Sequence, residues 1–168
     1  MPGIQTDTDA MGDGEANPVV VQFPADASDL PSSGAVAEWV HAALVGVPEG
    51  SPAGEVVVRA EEAGEMARLN ADFRGKEAPT NVLAFPADVP PGPWDPVLGD
   101  VVICPEVVAQ EAAEQSKTME AHWAHMVIHG TLHLLGYDHQ ETAEAEVMEG
   151  LERRILDGLG YRDPYAEE

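Results

Sequence analysis

Apolar positions fall in short blocks through the first two thirds of the chain and at helical spacing in the last third. PVVVQF (18–23), EVVVRAE (55–61), the stretch from about Asn81 to Phe85 and VLGDVVIC (97–104) are β-branched runs that read as four strands. Between the first two, Val36, Trp39, Val40, Ala43, Leu44 and Val47 keep helical spacing until Pro48 ends it. A short helix with Met66, Leu69 and Phe73 along one side follows the second strand, and Pro105 suits the first turn of a helix after the fourth. The same spacing predicts a long helix from roughly Thr118 to Leu135 and an amphipathic one from about Thr142 to Leu159. ADVPPGPWDP, with four prolines, marks a surface loop. Strands early and helices late, without repeats, predict one α+β domain over residues 18–168, built on a mixed sheet of about four strands. Residues 1–17, MPGIQTDTDAMGDGEAN, are Gly- and Asp-rich with little to bury and predict a disordered acidic tail.

Composition narrows the function classes. At 168 residues, with 44% hydrophobic and 23% charged residues, the chain is an ordinary globular domain. No apolar run approaches the roughly 18–20 residues that span a bilayer, and no Lys or Arg precedes Arg59 to begin a secretory signal. The single cysteine, Cys104, fits a reducing compartment, so a cytoplasmic protein is expected. The net charge of −23 argues on its own against a polyanion partner. Four of the eight basic residues nevertheless fall between positions 59 and 76, as Arg59, Arg68, Arg74 and Lys76. They make either a positive patch or four solvated surface charges.

The candidate chemistry lies in HGTLHLLGYDH (129–139), which spaces three histidines as His-x3-His-x5-His with Gly136 in the gap. Zinc proteases of the metzincin type carry H-E-x-x-H-x-x-G-x-x-H, and this segment departs from that template only at Gly130, where the protease keeps its catalytic glutamate. Residues four apart share a helix face, so the imidazoles of His129 and His133 can converge on one ion. The pair His125 and His129 has the same spacing, and the third ligand chooses between them. Gly136 can take the left-handed conformation that ends a helix, which returns His139 to the last turn, beside His133 and far from His125. Three neutral nitrogen ligands leave a fourth position open, as in a catalytic zinc site, and one Zn2+ per chain is expected. Trp123, Met126, Val127, Gly130 and Leu134 form the opposite, core-packing stripe. His41, His122 and Cys104 read as structural, while Asp138 could orient a ligand or cap the turn.

With these residues in view, the chain resembles the bacterial YbeY family, rRNA maturation factors described as single-strand-specific, metal-dependent endoribonucleases. The resemblance runs from about Glu55 to Tyr165 through VVVRAEE, FRGKEAPTNVLAFP, LGDVVICPEVV, EAHWAHMVIHGTLHLLGYDH and LGYRDPY. It implies a zincin-like domain, zinc held by His129, His133 and His139, and a catalytic role for Arg59, which the residues alone read as a strand-surface salt bridge. It also implies work on single-stranded rRNA of the small ribosomal subunit, in maturing the 3′ end of 16S rRNA and in ribosome quality control, with no membrane or DNA partner. Gly130 then has a chemical reading. Phosphodiester cleavage needs positive groups where charge develops, and a carboxylate at that place would repel the phosphate. Two further readings stand beside this one: a ribosome-assembly binding factor with a structural metal, and a peptidase, which Gly130 disfavours.

Overall fold

In the computed structural model the described residues are 4–9, by backbone alone, and 17–24, 29–48, 50–87, 96–138 and 140–166. His139 and most of the proline-rich loop lie outside them. The elements follow in the order β1 (Ile4–Asp9), β2 (Val19–Pro24), α1 (Ser33–Gly46), β3 (Glu55–Ala60), α2 (Ala63–Arg74), β4 (Val82–Pro86), β5 (Val97–Ile103), α3 (Pro105–Glu114), α4 (Met119–Leu134) and α5 (Thr142–Gly158).

The architecture is α+β on a mixed sheet, with one strand more than expected. Its order is β1-β2-β3-β5-β4, with β2, β3 and β5 parallel and the two edge strands antiparallel to their neighbours. The extra strand corrects the expectation of a wholly disordered tail: Ile4–Asp9 pairs with β2 from Ile4↔Pro24 to Asp9↔Val19. Without it β2 would present a bare row of backbone donors and acceptors, and β1 satisfies them. Residues 1–3 and 10–16 of the expected tail lie outside the described residues.

Each strand's alternation assigns its two faces. Val56, Val58, Val101 and Ile103 belong to the main core with α1, α4 and α5, while Leu83, Val102 and Cys104 form a second cluster with Met66 of α2. The helix α4 begins at Thr118, whose Oγ1 accepts from the Ala121 amide at 3.1 Å, satisfying one of the open donors of the first turn. It is buried along nearly its whole length, from Trp123, edge-on to Phe23, to Leu132 and Leu134. Burial of each such side chain contributes roughly 1.5–3 kcal/mol, so α4 is fixed rigidly against the sheet. Its end is built as the sequence requires. Gly136 has φ 98°, its N–H bonds the His133 carbonyl at 3.0 Å, and the Tyr137 N–H bonds the Leu132 carbonyl at 3.1 Å, the paired bonds of a Schellman turn. His133 therefore sits in the last turn of α4 and the chain reverses directly after it.

Candidate metal centre

The exposed edge of β4 and the histidine face of α4 form the walls of a cleft of about 1210 Å³. His125, His129 and His133 line it from α4, and Phe73, Arg74 and Lys76 line it from the end of α2 and the turn beyond. Within it His129 Nε2 and His133 Nε2 approach to 3.1 Å. The other nitrogen of His129, Nδ1, donates to Glu152 Oε2 at 2.9 Å, and His125 Nε2 donates to the same oxygen at 3.0 Å. Glu152 Oε1 accepts from the Tyr165 hydroxyl.

Glu152 is completely buried on α5. Burial by itself raises a carboxyl pKa, but hydrogen bonds and charge from His125 and His129 outweigh it and hold Glu152 far below the usual carboxylate range. Burial, followed by the charge and hydrogen bond of Glu152, pushes the Tyr165 phenol far up, so it stays a donor.

These donors fit a transition-metal ion. With a proton on Nδ1 directed at a carboxylate, His129 presents its lone pair at Nε2. Two nitrogens on one tetrahedral zinc, at about 2.0–2.1 Å each, lie roughly 3.3 Å apart, close to the observed separation. A second grouping, His125, His129 and Glu152, also brings one ligand atom from each within 4.8 Å and could hold an ion. It suits catalysis less well. Both Glu152 oxygens already accept from protein donors, and Glu152 and His125 are buried.

The structure brings His129 and His133 together as the spacing predicts, and it places His125 one turn back against Glu152. His139 lies outside the described residues. Asp138 lines the cleft. His122 is buried with Nε2 on Glu111 at 2.9 Å, and Cys104 is a buried thiol whose pKa burial raises.

Arg59 is not brought to the cleft. It pairs in register with Val102, on the α2 side of the sheet, whereas the adjacent Val101 meets α4. Its guanidinium is held by Glu61 at 3.2 Å and Asp100 at 3.6 Å. The central sheet thus stands between Arg59 and the histidines, and the strand-surface salt bridge is what the fold supplies. Arg68 is likewise paired with Glu65 and Asp72. Arg74 and Lys76 line the cleft and are exposed, and among the described residues neither is engaged in an ion pair.

Glu152 is a residue of the candidate site that histidine spacing does not reveal, although the sequence carries a signal. Met148, Leu151, Ile155 and Leu156 make the buried stripe of α5, and Glu152 falls within it. A carboxylate on the apolar stripe of a helix requires a buried partner.

Fold and site define an α+β protein with a candidate metal centre on the helix that lies along a sheet edge. A family model for Endoribonuclease YbeY matches residues 28–160. The chain belongs to that endoribonuclease family, which supports an RNA-cleaving role in rRNA maturation. Among solved structures it is similar to the solution structure of TM1509 from Thermotoga maritima, with 27% identity and a TM-score of 0.50 over 82% of this chain and 96% of that one. Among the described residues no helix is long and apolar enough to cross a membrane.

Proposed function

We propose that this protein is a cytoplasmic, single-strand-specific, zinc-dependent endoribonuclease that matures the 3′ end of 16S rRNA on the small ribosomal subunit and takes part in ribosome quality control. Its zinc ligands are His129, His133 and His139. The observation that carries the reading is the 3.1 Å approach of His129 Nε2 and His133 Nε2 in a cleft whose rim holds Arg74 and Lys76, two cations without ion pairs among the described residues.

When bound, the ion supplies Lewis-acid polarisation of a phosphoryl oxygen or of water. The remaining work belongs to the protein. Glu152 keeps the His129 tautomer that directs Nε2 into the cleft. Arg74 offers a planar, permanently charged fork for phosphate oxygens as charge builds there, the role first expected of Arg59, and Lys76 adds a second positive charge. Phe73, 52% exposed on the cleft wall and edge-on to Phe85, offers a face on which an unpaired base can stack. This favours single-stranded RNA over a duplex, whose bases are already stacked. The charge of −23 weakens attraction to arbitrary RNA and suits placement by basic ribosomal proteins.

The test is zinc content measured together with cleavage of matched single-stranded and duplex RNAs. About one zinc per chain and cleavage confined to the single strand are expected. Zinc without any RNA cleavage would favour an assembly factor with a structural metal.

A further inference from the structure

Glu152 is the one fully buried carboxylate among the described residues, and its two oxygens are engaged differently. Oε2 faces the metal-site helix, accepting from His125 and His129. Oε1 faces the C-terminal segment, accepting from Tyr165. That segment is fastened at several points. The Tyr165 amide donates to Asp163 Oδ1 at 2.8 Å, Asp163 pairs with Arg153 Nε at 3.2 Å, and the Arg153 guanidinium lies 5.2 Å from the Tyr165 ring centroid. Lys117 Nζ donates to the Pro164 carbonyl at 3.1 Å.

The fastened segment delivers its hydroxyl to the carboxylate that bonds His129 Nδ1.

Taking His129, His133 and His139 as the zinc ligands, we propose that Glu152 and Tyr165 are positioning residues for the metal: Glu152 keeps the proton on His129 Nδ1, so that the lone pair lies on Nε2, and Tyr165 holds Glu152 in the orientation that reaches His129. Docking of the C-terminal segment is thereby coupled to metal affinity. An imidazole binds metal through a lone pair, and the hydrogen bond at its other nitrogen decides which nitrogen carries that pair. Glu152 can do this only while its second oxygen is satisfied, because a buried carboxylate that loses a donor becomes costly in its present place.

The experiment measures zinc affinity, by competition with a chromophoric chelator, for the full-length protein and for its Tyr165→Phe, Glu152→Gln and His133→Ala variants. Melting temperatures of the metal-free proteins and visible spectra of the cobalt-substituted ones accompany it. Loss of an outer partner of a ligating histidine typically weakens metal binding about 10–100-fold. Glu152→Gln is expected within that range and Tyr165→Phe toward its lower end, both with the cobalt spectrum of an unchanged ligand set. Tyr165 is 37% exposed, so its phenylalanine variant folds even if Glu152→Gln does not. Unchanged zinc affinity in Tyr165→Phe, with or without a lower melting temperature, overturns the proposal. So does loss of an oxygen ligand in cobalt-loaded Glu152→Gln, which would make Glu152 a ligand. Wild-type zinc affinity in His133→Ala would instead overturn the ligand set itself.

Discussion

Gly130 lies so close to Val101 that a Cβ placed on it would come within 2.5 Å of Val101 Cγ1, and within 3.2 Å of Val82 Cγ2. The position at which the zinc-protease template keeps its glutamate is therefore pressed onto the sheet. Repulsion of phosphate is one reason for a carboxylate to be absent there, and the close helix–sheet approach is a second, independent one. Overpacking a well-filled core typically costs about 1–3 kcal/mol, partly offset in Gly130→Ala by roughly 1 kcal/mol of helix propensity. Gly130→Ala should still lower stability in a denaturant titration, and Gly130→Glu should lower it further without creating peptidase activity. A more stable alanine variant would contradict this packing.

The proposed function assigns Arg59 a structural role and Arg74 a functional one. Arg59→Ala removes a partly exposed ion pair with Glu61 and Asp100, a kind of contact that contributes about 0–1 kcal/mol. It should leave zinc content and cleavage nearly unchanged. Arg74→Ala should retain fold and zinc yet slow single-turnover cleavage by about 10²–10³, the usual loss for one donor to a developing charge, with Arg74→Lys recovering only part. The opposite ranking of the two alanine variants would return the catalytic role to Arg59.

His122 gives a pH dependence of known sign. Burial lowers its pKa from the ordinary 6.5, and the hydrogen bond to Glu111 opposes that shift without cancelling it. The unfolded chain therefore takes up this proton first as pH falls, so the contribution to stability is complete above pH 6.5 and is lost below it. His122→Gln keeps a donor for Glu111 and removes the titration. Its melting temperature should fall less steeply than that of the natural protein as pH drops from 7 toward 5. Parallel curves would show that His122 does not carry this dependence.

Much of this fold is legible because its punctuation is local. Pro48 and Gly136 end helices, Pro105 opens one, and the spacing of Val36, Trp39, Val40 and Ala43 is satisfied within a single element. His129 and His133 are legible for the same reason, being one turn apart on one helix. The face on which Arg59 lies is not local, because it depends on how β3 pairs with β5. Nor is the role of Glu152 local: its partners His129 and His125 are 23 and 27 residues away, and only its place on an apolar stripe hints at them. The strand Ile4–Asp9 is not legible locally, because its polar sequence is recruited by the open edge of β2.

The central claim is that the histidines of the cleft hold an ion on which RNA cleavage depends. Its most direct test is single-turnover cleavage of a defined single-stranded RNA by protein stripped of metal, by the same protein reloaded with zinc, and by His133→Ala treated identically. Cleavage should vanish on stripping, return on reloading in the natural protein, and fail to return in His133→Ala. Cleavage that survives stripping, or that zinc restores equally in His133→Ala, would contradict the account.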